Sequence, residues 1–343
     1  MDKKLRVGII GGAFAGTLHA EGWLATNRAE IIGMAAPSQS TRDTFVSKFG
    51  GKAYENGKTL LENEELDVIS ITLPNIYHKE LTILAANKGI NVVCEKPLAI
   101  NLNDATEMVE IAKKNGIKLL YAEQIIFAPR YQKVKDLIDG ASFGEIVHIS
   151  HRERHGGPHA KWFRDKSMSG GGVTMDMGIH GVGLISHLLK PAKVTHVYAR
   201  ILTVDKDSPV DDHCLLTLEF SNGVLATVDA SWVSPGGVDD VLEVLGTEGY
   251  VRADLARGQA IDFFTLAGSN QIAEKAETEK GWLKIPHEEA RTWGWYAEIQ
   301  HFAEVLLDDV TPLVTGEDGL RALKVVMAAY QSAQSNQRVS ISY

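Results

Sequence analysis

The chain has 343 residues, 44% of them hydrophobic and 23% charged, a composition typical of a soluble globular protein with two domains. The formal net charge is −9, and no basic cluster is interleaved with aromatic residues, so we expect no nucleic-acid partner. Cys94 and Cys214 lie far apart and in no metal-ligand spacing, which favours a reducing cytoplasm over a disulfide scaffold. No apolar run approaches about 18 residues, so we expect a cytoplasmic protein without a membrane partner.

The first part of the chain alternates strand and helix patterns. The predicted strands cover residues 5–10, 30–35, 67–72, 90–93 and 118–121, and the predicted helices cover residues 16–26, 40–49, 76–88 and 103–115. Strands that alternate with helices form a doubly wound parallel sheet with helices on both faces. We therefore predict an α/β dinucleotide-binding domain over residues 1–123.

The second part of the chain is richer in β-branched runs. After helices at 129–139 and 172–189 and a strand at 145–150, the predicted elements are strands at 194–203, 213–220, 224–233, 240–245 and 260–266, helices at 294–307 and 317–334, and a final strand. Turn signals between these strands favour antiparallel pairing. Residues 124–343 are therefore predicted to form an α+β domain with a large, open, mostly antiparallel sheet.

A glycine loop follows the first strand and opens the first helix. It reads Gly11-Gly12-Ala13-Phe14-Ala15-Gly16, which is a G-x-A-x-x-G version of the dinucleotide fingerprint. A purely structural turn is the alternative. We predict that Gly11, Ala13, Phe14, Ala15 and Gly16 bind the diphosphate of NAD(P).

The second strand lacks the acidic residue that usually binds the adenosine ribose. Ala36 replaces that acid, and Ser38 and Arg42 lie close enough in sequence to contact a 2′-phosphate. The alternative is that Arg42 is an exposed helix residue. The missing acid favours NADP over NAD.

Lys96 lies where the fourth strand ends, in the motif Cys94-Glu95-Lys96-Pro97. Ligands of open α/β sheets bind outside the carboxyl ends of the strands. The alternative is a structural lysine that extends its charged end into solvent. The lysine is a candidate catalytic residue.

Asp176 and His180 are four residues apart in a predicted helix, so they share one face. A histidine oriented by a carboxylate can act as a base near neutral pH. The alternative is a local pairing of Asp176 beside a packed histidine.

His151, His155 and His159 also repeat every four residues, but Gly156-Gly157-Pro158 interrupts any helix there. We therefore expect no metal site. His155, Trp162 and Arg164 are predicted to line a polar substrate pocket, together with the other two histidines. Aromatic and hydrogen-bonding side chains of this kind suit a sugar ring.

Taken together, these motifs resemble the Gfo/Idh/MocA oxidoreductase family over essentially the whole chain. The motifs that carry the resemblance are Val7-Gly8-Ile9-Ile10-Gly11 with His19-Ala20, Leu73-Pro74-Asn75 with His78, Glu95-Lys96-Pro97, Gly170-Gly171-Gly172, Asp176-Met177-Gly178-Ile179-His180 and Gly246-Thr247-Glu248-Gly249. Two positions depart from the family pattern. Gly183 replaces a frequent acid, and Gln124 lies near a position where relatives often have other polar residues.

The resemblance implies a Rossmann domain followed by a mixed α/β domain, whose open sheet binds substrate on one face and forms a homodimer or homotetramer through the other. It implies a catalytic site of Lys96, Asp176 and His180. The further nucleotide contacts that it implies are Leu73, Pro74, Asn75, His78, Glu95, Lys96, Pro97 and Gln124. The implied substrate contacts are Lys96, Gln124, Asp176 and His180, in addition to the pocket residues above.

We therefore predict hydride transfer between NAD(P) and a secondary alcohol or ketone of a sugar or cyclitol. His180 is the candidate base and Lys96 stabilises charge on the reacting oxygen, although the two could exchange roles. Asp176 orients the substrate or His180. One alternative is a glycosidase that works through a redox cycle with tightly bound NAD, and another is a non-catalytic nicotinamide or sugar sensor.

Overall fold

The computed structural model describes residues 4–158, 160–256, 260–265, 281–286 and 289–343. The chain divides into two compact units. One comprises Met1–Phe127 and Gly294–Leu323, and the other comprises Ala128–Trp293 and Lys324–Tyr343.

The first unit is built on a parallel six-stranded sheet. Its strands are β1 (Leu5–Ile10), β2 (Ala29–Ala35), β3 (Lys52–Tyr54), β4 (Val68–Ile71), β5 (Asn91–Glu95) and β6 (Leu119–Ala122), and its helices are α1 (Phe14–Ala25), α2 (Gln39–Phe49), α3 (Gly57–Asn63), α4 (His78–Ala86) and α5 (Leu102–Asn115). The strand order is β3-β2-β1-β4-β5-β6. All residues of β4 and β6 are buried, as expected for a parallel sheet that is covered on both faces. The predicted Rossmann-type sheet is confirmed.

The second unit contains α6 (Pro129–Asp139), α7 (Lys166–Ser169), α8 (Ile179–Leu188) and α9 (Glu289–Thr292), with strands β7 (Ile146–Arg154), β8 (Val194–Leu202), β9 (His213–Phe220), β10 (Leu225–Ser231), β11 (Asp239–Gly246), β12 (Tyr250–Asp254), β13 (Ala260–Thr265), β14 (Gly281–Pro286) and β15 (Val339–Ser340). Seven strands form one sheet in the order β12-β11-β7-β10-β9-β8-β15, and β13 pairs with β14. Neighbouring strands of the large sheet are antiparallel except for β7 and β10, which are parallel. The sheet is therefore mixed and mostly antiparallel.

Two late helices remain. They are α10 (Trp295–Leu307) and α11 (Gly316–Ser335). The sequence predicts both helices in the second domain, whereas α10 packs within the first unit. The side chain of Ile299 on α10 is buried, and a Cβ atom at Gly22 of α1 would lie 2.9 Å from it. Contacts between residues so far apart in sequence leave no local pattern.

Six short elements were not predicted, namely β3, α3, α7, β12, β14 and α9. β3 has only three residues, which is too short for a periodic pattern, and β12 is an edge strand with exposed Tyr250 and Arg252. Residue 266, the end of a predicted strand, lies outside the described residues. Among the helices that the structure describes, none is long and apolar enough to cross a membrane.

Candidate active site

The glycine loop joins β1 to α1 with little space between the two elements. Gly11 has a φ of +108°, which glycine adopts without strain. A Cβ atom at Gly16 would lie 1.9 Å from the carbonyl oxygen of Gly11, so only glycine lets α1 begin here. The hydroxyl of Thr72 lies 3.1 Å from the carbonyl oxygen of Ile10 and 3.0 Å from that of Gly11, which fixes the shape of the loop.

The start of α1 fits the diphosphate that the fingerprint predicts. Ala13 precedes this helix of 12 residues without a side-chain cap, and the first turn contains no acidic residue. Backbone N–H groups at a helix start carry partial positive charge and bind anions. No side chain of the first turn therefore opposes a bound phosphate.

The predicted 2′-phosphate contacts lie where the turn after β2 leads into α2, with Ser38 in the turn and Arg42 in the first part of the helix. Arg42 is buried, and its Nη1 donates hydrogen bonds to the carbonyl oxygens of Ala36 and Pro37 at 2.6 and 2.9 Å. Its Nη2 donates to the side-chain oxygen of Gln39 at 2.5 Å. The side chain of Ser38 caps the start of α2. Arg42 is thus a buried residue that holds the turn, and not an exposed helix arginine.

His78 joins the loops that follow β4 and β5. Its ring is fully buried, with Nδ1 3.0 Å from the carbonyl oxygen of Pro97 and Nε2 2.9 Å from that of Leu73. Burial lowers the pKa of His78, so the neutral ring donates to one of these carbonyls at a time. The structure brings Leu73, His78 and Pro97 together, and their contact with the nucleotide stays a prediction.

Lys96 directly follows β5, at the carboxyl end of the parallel sheet. Its backbone N–H donates to Oε2 of Glu95 at 3.1 Å. The other carboxylate oxygen, Oε1, lies 3.1 Å from Nε2 of His19, which is fully buried on α1. Glu95, predicted to contact the nucleotide, therefore directs both oxygens to protein groups and holds the main chain of Lys96.

Asp176 and His180 lie in one continuous helical segment of the second unit, and both are buried. The segment begins with a wide π-type turn, Thr174–Gly178, and continues as α8. Single π turns inside helices occur frequently at functional sites. The predicted helix is confirmed, while its wide first turn was not anticipated.

Trp232 is a partner of Asp176 that the sequence did not identify. Its indole Nε1–H donates to Oδ2 of Asp176 at 3.3 Å, and both side chains are buried. The two residues are 56 positions apart, so no local motif connects them. This bond fixes one oxygen of the candidate catalytic carboxylate.

An aromatic row extends from Trp232 to the predicted substrate segment. The ring of Phe163 meets that of Trp232 edge to face at 6.4 Å, and Trp162 stacks on Phe163 at 3.8 Å. Arg164 donates from Nη1 to the carboxylate of Asp205 at 3.0 Å. Trp162 and Arg164 are half-buried, as suits residues that line a pocket.

The remaining predicted residues have different surroundings. His155 is buried in the second unit, and Gln124 is buried in the first. His151 is buried with Nε2 3.3 Å from Oδ1 of Asp240, which also accepts the hydroxyl of Tyr131. His159 lies outside the described residues. Within the described ranges, no cluster of three His, Cys, Asp or Glu side chains could hold a metal ion.

Comparison with known proteins decides the family. An oxidoreductase-family model with an NAD-binding Rossmann fold matches residues 5–123, and a GFO/IDH/MocA C-terminal domain model matches residues 131–252. The chain belongs to the Gfo/Idh/MocA oxidoreductase family. Residues 5–123 are therefore an NAD-binding Rossmann domain, and the resemblance found in the sequence is confirmed.

Characterised family members match nearly the whole chain. The scyllo-inositol 2-dehydrogenase (NAD(+)) of Bacillus subtilis (strain 168) is 28% identical, over 99% of this chain and 97% of its own. The myo-inositol 2-dehydrogenase of Thermotoga maritima is 26% identical, with 98% of each chain covered. The crystal structure of GenD2 from gentamicin A biosynthesis, in complex with NAD, superimposes with a TM-score of 0.94 at 26% identity, over 100% of this chain and 98% of that chain.

Proposed function

We propose that this family member is an NAD-dependent dehydrogenase that oxidises a secondary alcohol of a sugar or cyclitol, or reduces the corresponding ketone. The observation that carries the proposal is the position of Lys96 directly after β5, where the Glu95 carboxylate, itself paired with His19, holds its main chain. The names of the inositol dehydrogenases above support this substrate class.

Each catalytic residue has one role in the proposal. NAD, when bound, supplies the acceptor for the hydride that leaves the carbinol carbon. His180 takes the hydroxyl proton, and the Lys96 ammonium stabilises negative charge that develops on the same oxygen. Asp176, fixed by the indole of Trp232, orients His180 or the substrate.

Lys96→Met tests this assignment. We expect turnover to fall by at least about 10²-fold, because one charged contact to a developing alkoxide contributes several kcal/mol. The dissociation constant of the nucleotide, measured by fluorescence titration, should stay within about twofold because the diphosphate contacts remain.

Lys88→Met is the matched control, since Lys88 is an exposed lysine of the same unit. Near-normal turnover in the Lys96 variant would overturn the catalytic assignment.

A screen of sugars and inositols identifies the substrate. His155, Trp162, Arg164 and Gln124 are the residues that we propose contact it. The screen is run with NAD and NADP in parallel and is read at the absorbance of the reduced nicotinamide. Net reduction supports the dehydrogenase. Glycoside cleavage without net redox would support the redox-cycling glycosidase, and binding without turnover would support a sensor.

We propose that the nucleotide is NAD. NADP, which the sequence favours, is the alternative. Three hydrogen bonds from the Arg42 guanidinium hold the β2–α2 turn, and this argues against a dedicated 2′-phosphate site. A higher kcat/KM with NADP than with NAD in the same screen would reverse this choice.

We also propose that the enzyme is a homodimer or homotetramer that assembles through the outer face of the large sheet. Six large apolar side chains share this face, each 38–58% exposed: Tyr198, Leu202, Leu215, Leu225, Leu245 and Tyr250. Exposed apolar side chains that share one face are a feature of interaction surfaces. Cys94 and Cys214 are free thiols, which supports placement in the cytoplasm.

A further inference from the structure

The helical segment that carries Asp176 and His180 is held at its start by Asp211, a residue from a distant part of the chain. Three consecutive N–H groups donate to this aspartate: Gly172 to Oδ1, Val173 to the main-chain carbonyl oxygen and Thr174 to Oδ2, each at 2.9 Å. The first N–H groups of a helix have no partner within the helix. Here one residue satisfies three of them.

Two hydroxyl groups complete the surroundings of the Asp211 carboxylate. Thr174 donates from Oγ1 to Oδ2 at 2.6 Å, and Tyr330 of α11 donates to Oδ1 at 2.9 Å. The negative charge of the carboxylate lies at the positive end of the helical segment, which is the favourable arrangement. Asp211 thus connects the segment to α11 as well as to the loop before β9.

The glycine run before the segment is explained by the same contacts. A Cβ atom at Gly172 would lie 1.9 Å from the carbonyl oxygen of Asp211, and one at Gly171 would lie 2.2 Å from the hydroxyl oxygen of Tyr330. Both positions require glycine because the neighbouring groups approach too closely for any side chain. Gly171 and Gly172 therefore leave the space that Tyr330 and Asp211 occupy.

The next residue, Asp212, holds the main chain of Trp232, which donates to the Asp176 carboxylate. The main-chain N–H of Trp232 donates to the carbonyl oxygen of Asp212 at 2.8 Å. The carboxylate of Asp212 accepts the N–H groups of Val204 and Asp205, each at 2.7 Å. The two adjacent aspartates therefore fix both partners of the bond between Trp232 and Asp176.

We propose that Asp211 is a positioning residue, which sets the place of the helical segment so that Asp176 and His180 are aligned for reaction. This inference rests on the proposed function. Asp211→Asn keeps the size of the side chain but offers one acceptor oxygen in place of two, so at least one N–H of the segment loses its partner.

The test compares Asp211→Asn with the wild-type enzyme in three measurements. We expect turnover at saturating substrate to fall by about 10²-fold, because small displacements of catalytic groups have effects of this size. The dissociation constant of NAD should stay within about twofold, since the diphosphate loop belongs to the other unit. Amide hydrogen exchange over residues 173–180 should become faster.

Control variants separate positioning from general destabilisation. Asp139→Asn removes an exposed carboxylate of the same unit and should change none of these quantities. If Asp211→Asn fails to fold, Thr174→Val removes a single donor to Asp211 and should lower turnover several-fold, whereas Thr174→Ser should restore it.

Turnover within about twofold of the wild type in a variant with faster exchange would overturn the positioning role. If the wild-type enzyme turns over no member of the substrate screen, the proposed function fails. Amide hydrogen exchange then tests by itself whether Asp211 holds the helical segment in place. Unchanged protection of residues 173–180 in Asp211→Asn would overturn that role, and faster exchange would support it.

Discussion

The carboxylate of Asp176 accepts a hydrogen bond from a neutral donor, the indole N–H of Trp232. A buried hydrogen bond to a charged group contributes about 1.5–3 kcal/mol. If this energy is lost in the transition state and not in the ground state, the rate falls by roughly 10- to 100-fold. Trp232→Phe keeps an aromatic ring against Phe163 but removes this donor. We therefore expect turnover to fall at least about tenfold in steady-state assays.

Trp23→Phe is the matched control for this variant. Trp23 is also a buried tryptophan, and its indole N–H donates to the hydroxyl of Ser70 at 2.9 Å in the core of the first unit. We expect its loss to lower the midpoint of thermal unfolding but not turnover. An equal effect of both substitutions on turnover would contradict the orienting role of Trp232.

Among the elements, α10 introduces an acidic group into the interior of the first unit. Glu298 is fully buried, and burial raises the pKa of its carboxyl well above the ordinary 4.5, with further increases from the charges of Glu95 and Glu123. The folded state therefore holds this proton more tightly than the unfolded chain does. Its contribution to stability is complete below about pH 4.5 and decreases as pH rises through the folded-state pKa.

Glu298→Gln tests this linkage, because glutamine keeps the shape of the side chain and cannot lose a proton. We expect the variant to gain stability relative to the wild type as pH rises from 5 to 9, with a slope of at most about 1.4 kcal/mol per pH unit for one proton. Urea unfolding at several pH values measures this difference. Glu304→Gln, at a half-buried position of the same helix, is the control. Parallel pH profiles for wild type and Glu298→Gln would contradict the linkage.

For the whole molecule, the proposed assembly predicts a concentration-dependent oligomer. Leu215 and Leu225 lie on neighbouring central strands, and lysines at both positions would place two charges in the proposed interface. We expect sedimentation velocity to show a dimer or tetramer for the wild type and a smaller species for the double variant. Desolvation of unpaired charges is the physical reason.

Lysines at two exposed apolar positions of the first unit, Leu24 and Val310, provide the control for this experiment. That variant should sediment like the wild type. A wild-type enzyme that remains monomeric at micromolar concentration would contradict assembly through this face.

The sequence by itself determined the order of the main strands and helices, the glycine loop, and the place of Lys96 after a buried strand. These features depend on local hydrophobic periodicity and on the limited backbone conformations of residues near glycine and proline. The helix that carries Asp176 and His180 was also predictable from local sequence. One helical turn brings residues four apart onto one face, so the shared face of the two side chains follows from their spacing.

Only the tertiary structure decided how these residues are held. The bonds of Glu95 to His19, of Asp176 to Trp232 and of the helical segment to Asp211 join residues 76, 56 and 37–39 positions apart. Parallel pairing of β7 with β10 and the packing of α10 in the first unit likewise depend on distant segments. Local propensity carries no record of such contacts, since they form only when the chain has folded and the buried polar groups must find partners.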